Sequence, residues 1–173
     1  MTREDQLIKR CKAGDAEALD ELVRMYYPDI LRYCLWHAPD RQSAEDAAQE
    51  TFIKMIRHLQ SYTHQYFRAF LYRIAANTCV DMQRRKWTSA VPLPEGLTVT
   101  EDGYHRAEED ADLQRLVSAL PPEQRELVLL RFAQQLTLRE MAEVTGLPLR
   151  TVQSRLRAAL TKLKSTLSEG GWE

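Results

Sequence analysis

Much of what common function classes need is scarce or missing in this chain. Its three cysteines among 173 residues, Cys11, Cys34 and Cys79, are odd in number, far apart and never in a Cys-x-x-Cys pair. That excludes a disulfide framework and a thiolate zinc site, and leaves them as small buried apolar residues of a reducing compartment. No apolar run exceeds four residues, Leu127 to Leu130 being one, against the roughly 20 needed to span a bilayer. Nor does the chain open on a basic-then-apolar leader, since Leu7 and Ile8 sit among charges. A cytoplasmic protein without membrane insertion is expected. Four histidines (His37, His58, His64, His105) show no His-Glu-x-x-His spacing, and there is no phosphate-binding glycine loop and no Gly-x-Ser-x-Gly. Neither an enzyme nor a metal or cofactor site is expected, and no residue is assigned a catalytic role. Twenty-four Lys and Arg against 25 Asp and Glu leave a net charge of −1, so no overall basicity points to nucleic acid. The balance conceals an uneven distribution.

Glycine and proline are also few, 6 and 7, and helical spacing runs through most of the chain. Residues 4–13 carry Leu7, Ile8 and Cys11 on one face, with Gly14-Asp15 as a stop followed by an N-cap. Ala18, Leu19, Leu22, Val23 and Tyr26 continue at three- and four-residue spacing. Ile30, Leu31, Cys34 and Leu35 extend that stripe, and Pro28 marks a kink or restart. Ser43-Ala-Glu-Asp46 resembles a capping box, opening a helix that buries Ala48, Phe52, Met55, Ile56 and Leu59. After a polar, aromatic-rich stretch from Ser61 to Tyr66, a further helix from Phe67 to about Lys86 buries Phe70, Leu71, Ile74, Thr78 and Met82. Four such helices suffice for a small bundle. The fold class expected is all-α, with two small helical domains joined by an acidic flexible linker: residues 1–87, 88–112 and 113–173.

The linker stands out by composition. Residues 88–112 hold seven acids against Arg106 alone, a net charge of −6, with Pro92, Pro94, Gly96 and Gly103. Proline and self-repulsion favour an extended tether.

In the last domain, Leu113, Leu116, Val117 and Leu120 form one stripe, Pro121-Pro122 starts the next helix, and Leu127 to Leu130 make it strongly apolar. Thr137-Leu-Arg-Glu140 is a capping box in strict form. Gly146 follows its short helix at the left-handed position, and a longer helix runs from Leu149 to about Leu167. This is a helix-turn-helix layout. From Leu149 to Lys164 the longer helix has five cations and no acid. At about 100° per residue, Val152, Leu156, Ala159, Leu160, Leu163 and Leu167 belong to its buried side. Arg150, Ser154, Arg157 and Thr161 share the outer face, flanked by Thr151 and Gln153. Arg and Gln make paired hydrogen bonds to guanine and adenine edges in a major groove, while Arg155 and Lys162 suit phosphates.

The N-terminal domain shows a different pattern. From Phe67 to Trp87 it has Arg68, Arg73, Arg84, Arg85 and Lys86 against Asp81 alone, a net charge of +4. Tyr62, His64, Tyr66 and Phe67 lie at or just before its start. Rings beside cations are what unpaired DNA needs, since bases stack while cations track the backbone. One protein touching paired and melted DNA at separate places is the reading that joins the two.

Five stretches together resemble the bacterial RNA polymerase sigma factors of the extracytoplasmic-function group. Asp46-Ala-Ala-Gln-Glu-Thr-Phe-Ile-Lys54 is similar to the helix that binds core polymerase, and Phe70 to Lys86 to the promoter-melting segment. Leu120 to Glu126, Leu138 to Gly146 and Thr151 to Ala158 are similar to the reader of the upstream promoter element. The opening Ala13 to Leu22 fits as well. The resemblance implies core RNA polymerase, promoter DNA (double- and single-stranded) and an anti-sigma factor as partners. It implies that Asp46, Gln49, Glu50 and Ile53 contact polymerase. It assigns the melted downstream element to Asn77, Asp81, Arg84 and Arg85 with the loop from Ser61 to Phe67, where Tyr62, His64 or Tyr66 would hold a flipped base. The upstream element falls to Arg150, Thr151, Gln153, Ser154, Arg155 and Arg157. Arg150 stands where many members carry glycine, so it can add a phosphate contact and alter the docking angle. For the linker, the resemblance adds a second reading: a strand threading the polymerase channels that later hold template and RNA. A stand-alone helix-turn-helix regulator, with a dimerising N-terminal bundle, is the alternative; it predicts palindromic duplex binding without polymerase.

Overall fold

Eight helices make up the computed structural model, which describes residues 1–63, 66–85 and 112–169; every regular element in those residues is helical. His64 and residues 86–111, which include Lys86, Trp87 and nearly all of the expected linker, lie outside the described residues. The chain divides into two compact units, residues 1–91 and 92–173. No helix among the described residues is long and apolar enough to cross a membrane.

In the N-terminal unit, α1 (Arg3–Lys12) starts at a capping box. Asp5 N–H donates to Thr2 Oγ1 at 3.1 Å and Thr2 N–H to Asp5 Oδ2 at 3.0 Å, and the bonds from Thr2 hold the Asp5 carboxyl below its ordinary pKa. Gly14 turns the chain at φ +91°, and Asp15 caps α2 (Ala16–His37) by accepting from the N–H groups of Glu17 and Ala18. Helix α2 passes through Pro28 without ending. Pro28 is exposed, so water can meet the carbonyl that its missing N–H leaves free.

The start of α3 (Arg41–His58) differs from the expectation at Ser43: the N-cap is Asp40. Its carboxylate accepts from Ser43 N–H at 2.7 Å and Ser43 Oγ–H at 3.1 Å. An ionised acid three residues upstream outcompetes the serine hydroxyl as acceptor, so the helix begins earlier and Asp46 lies within it. A 3₁₀ turn (Leu59–Ser61) follows, then α4 (Phe67–Arg85).

The core between α2, α3 and α4 is built from Leu22, Ile30, Tyr33 and Cys34, then Ala44, Ala47, Ala48 and Met55, then Leu71, Tyr72, Ala75 and Cys79, all buried. The alanines let backbones approach, and Cys34 Sγ meets Cys79 Sγ at 3.9 Å as a packed thiol pair. Ile56 and Leu35, expected inside, are exposed. Each sits one residue, about 100° of helix, past a buried neighbour (Met55 and Cys34), beyond the wedge the adjoining helices cover.

The C-terminal unit comprises α5 (112–118), α6 (Pro122–Val128), a π turn (Leu129–Ala133), α7 (Leu138–Thr145) and α8 (Leu149–Glu169). Leu127, Val128, Leu129 and Leu130 are all buried. Four consecutive residues sweep roughly 300° of a helix, so this segment is packed on nearly every side. In the π turn Gln134 N–H reaches Leu129 O at 3.0 Å. Arg125 caps the end of the preceding helix, donating to the carbonyls of Val117, Ser118 and Leu120 at 3.3, 3.3 and 3.2 Å. Along α8, Val152, Leu156 and Ala159 are buried, whereas Leu160, expected inside, is exposed and Leu163 and Leu167 are half-buried.

Candidate nucleic-acid and partner interfaces

The helix-turn-helix is assembled by local chemistry. Thr137 and Glu140 exchange the reciprocal bonds of a capping box, Glu140 N–H to Thr137 Oγ1 at 3.1 Å and Thr137 N–H to Glu140 Oε1 at 3.0 Å. Gly146 ends α7 at φ +73°, ψ +8°, its N–H on Ala142 O at 2.9 Å. No neighbouring atom lies within 4 Å of where a Cβ would stand there, so backbone conformation alone asks for glycine. After two intervening residues α8 begins at Leu149. With Val152, Leu156 and Ala159 inward, Arg150, Gln153, Ser154, Arg155 and Arg157 are exposed and Thr151 is half-buried. All six upstream-element residues therefore lie on the helix that carries the cationic face. Thr161 is turned to its own helix, donating to Arg157 O at 3.0 Å.

The N-terminal unit builds its surface between two helices. A groove of about 570 Å³ between α3 and α4 is lined by Asp46, Gln49, Glu50, Ile53 and Lys54 on one side and Thr78, Asp81, Met82 and Arg85 on the other. It gathers all four expected polymerase-binding residues, with Ile53 45% exposed. A second groove of about 360 Å³ is lined by Lys54, His58, Phe70, Arg73, Ile74 and Asn77. It holds cationic and imidazole groups, an aromatic ring, an amide and no carboxylate, the composition suited to an unpaired strand.

The residues expected at the melted element separate accordingly. Asn77 lines the second groove, while Asp81 and Arg85 line the first; Arg84 is exposed. Tyr62 and Phe67 do not offer ring faces to solvent. They are 7% and 2% exposed, and their rings pack with Tyr26 and Phe70 at centroid distances of 4.7–5.9 Å. Burial pushes the Tyr62 phenol up to about 12, with Glu4 and Asp5 adding to it. Helix α1 fastens this cluster: Lys12 donates to Tyr62 O and sits 5.6 Å from its ring centroid, and Gln60 Nε2 donates to Lys12 O at 2.8 Å. Tyr66 is half-buried. The aromatic ring that lines the second groove is Phe70.

Lys54, His58, Phe70 and Arg73 were not singled out as site residues by spacing. Arg73 carried a signal as part of the basic helix. The other three reach the groove only because α3 packs on α4, which no local pattern records.

Two family models match the chain, Sigma-70 region 2 over residues 22–88 and Sigma-70, region 4 over residues 110–163. The ECF RNA polymerase sigma factor SigE of Mycolicibacterium smegmatis is 34% identical over 90% of this chain, which spans 65% of that relative's length. The ECF RNA polymerase sigma factor ShbA of Streptomyces griseus is 32% identical, with 92% of each chain covered. Among solved structures, CnrH in complex with the cytosolic domain of CnrY matches with a TM-score of 0.75 at 22% identity, covering 96% of this chain and 97% of that one, a likeness of fold.

Proposed function

The chain belongs to the extracytoplasmic-function family of RNA polymerase sigma factors, and we propose that it binds core RNA polymerase, directs it to specific promoters and helps to melt them. Residues 1–87 act as the polymerase-binding and melting domain and residues 113–173 as the reader of the upstream element, with 88–112 as the acidic connection.

The observation that carries this reading is the pair of surfaces. Exposed Arg150, Gln153 and Arg157 on one helix suit base edges of a duplex. The carboxylate-free groove of Phe70, Arg73 and Asn77 suits a strand that has lost its partner. Asp46, Gln49, Glu50 and Ile53 give polymerase an apolar anchor rimmed by acids and amides, a patch for a basic partner surface. Base capture from the stack costs a few kcal/mol, which contacts made only to the open strand offset. No step here breaks a covalent bond by this chain; the chemistry of RNA synthesis is the polymerase's.

The place of action is the cytoplasm. An anti-sigma factor is the inhibitory partner we assign, a reading supported by the fold neighbour RpoE of Bartonella quintana, a sigma factor solved in complex with the anti-sigma factor NepR. The acidic 88–112 segment enters polymerase channels, its charge suited to a basic tunnel and repelled by free DNA.

Transcription by purified core polymerase on a library of randomised promoters tests the proposal. Added protein should yield transcripts from a restricted promoter set sharing two separated elements; transcripts independent of the added protein would refute it.

A further inference from the structure

Lys54 lines both grooves of the N-terminal unit, standing on the wall between them. The first groove sets Asp46, Glu50 and Asp81 against Lys54 and Arg85, while the second contains Lys54, His58 and Arg73 without an acid. The Lys54 ammonium donates to Thr78 Oγ1 at 3.1 Å and lies 3.9 Å from Asp81 Oδ2. Its side chain is 28% exposed and that of Asp81 52%, so the ion pair is wet and weak. A lysine ammonium on its four-carbon stem re-aims at little cost. Two anions can compete for it: the Asp81 carboxylate on one side, or a phosphate entering the other.

We infer that Lys54 couples polymerase binding to strand capture: in the free protein Asp81 draws its ammonium toward the first groove, and a cationic polymerase surface engaging Asp81 releases it to a phosphate of the unpaired strand. The inference rests on the proposed function and adds a regulatory link between its two grooves. Lys54 is a positioning and charge-relay residue in this scheme, moving no proton and breaking no bond. Linkage makes the effect reciprocal, so a bound strand tightens polymerase binding by the same factor.

The test uses the full chain, with and without core polymerase, and a fluorescent single-stranded oligonucleotide carrying the downstream element of a promoter the holoenzyme opens. Asp81→Asn should raise the free protein's affinity for the oligonucleotide by about two- to fivefold, the size of a half-exposed ion pair. The enhancement that core polymerase confers on the wild type should shrink by the same factor. In a Lys54→Gln background Asp81→Asn should change nothing. Lys54→Met, which keeps the stem between α3 and α4, should behave alike, and Lys54→Arg should retain the gain. A gain that persists without the Lys54 charge would make Asp81 a simple repeller of DNA and overturn the inference; so would no gain in the wild-type background. A holoenzyme that opens no promoter defeats the underlying functional reading instead, before this comparison begins.

Discussion

The two units build their proposed nucleic-acid surfaces by different constructions. In residues 113–173 one helix carries both the anchor and the proposed reading face: Val152, Leu156 and Ala159 fix it to the core while Arg150, Gln153 and Arg157 face solvent. In the N-terminal unit no single helix is sufficient, because the grooves exist only where α3 and α4 meet and share Lys54. A surface carried by one helix can act alone. One made by two helices is sensitive to whatever binds either of them, which suits the proposed melting of DNA on polymerase.

The largest effect that can break this comparison comes from Phe67. If it is core, as its burial with Tyr26 and Phe70 implies, Phe67→Ala should destabilise the N-terminal unit by about 3–5 kcal/mol in denaturant unfolding. Phe67→Leu should recover most of that, together with strand binding. An unchanged unfolding midpoint with lost strand binding would return the ring to the surface. Arg125→Ala comes next. Loss of three bonds to the carbonyls that end α5 should cost the C-terminal unit about 1–3 kcal/mol, read as a lower melting temperature of that unit alone. Gln49→Ala combined with Glu50→Ala should weaken core polymerase binding by about 1–2 kcal/mol with no change in helicity; lost helicity would make those side chains structural.

The smallest effect is a difference in alkaline stability. Burial raises the pKa of Tyr62 to about 12, burial raises that of Tyr27, and the Cys79 hydrogen bond together with burial raises that of Cys34. A folded state that keeps a proton the unfolded chain gives up is stabilised below the unfolded pKa, and loses that contribution as pH rises through the folded value. The N-terminal unit should therefore weaken from about pH 9, where an unfolded cysteine ionises, and further between about pH 10 and 12, where an unfolded tyrosine does, and Tyr62→Phe should flatten the slope in that upper range. Residues 113–173 contain neither tyrosine nor cysteine, so they should show no such slope in pH-dependent melting.

What was legible follows the same divide. The Thr137 box, the Gly146 turn and the cationic side of α8 are all written within 31 residues and need only helical periodicity to be read. The start of α3 was misplaced because two acceptors three residues apart competed, and the ionised one won. Tyr62 and Phe67 were expected beside DNA because rings next to cations look alike whether they stack on bases or on one another. The burial of both rings comes from the packing of α1, α2 and α4, whose contacts join residues as distant as Lys12 and Tyr62. Lys54 falls in the Asp46–Lys54 stretch, yet its contacts are with Thr78 and Asp81, 24 and 27 positions away.

The division of labour is tested most directly by holoenzyme binding to two probes: a duplex carrying the upstream element, and a fork whose downstream element is single-stranded. Arg157→Ala should weaken the duplex probe by about 1–3 kcal/mol and spare the fork. Arg73→Ala with Asn77→Ala should do the reverse. If either variant loses both probes alike, paired and unpaired DNA are not held by separate surfaces.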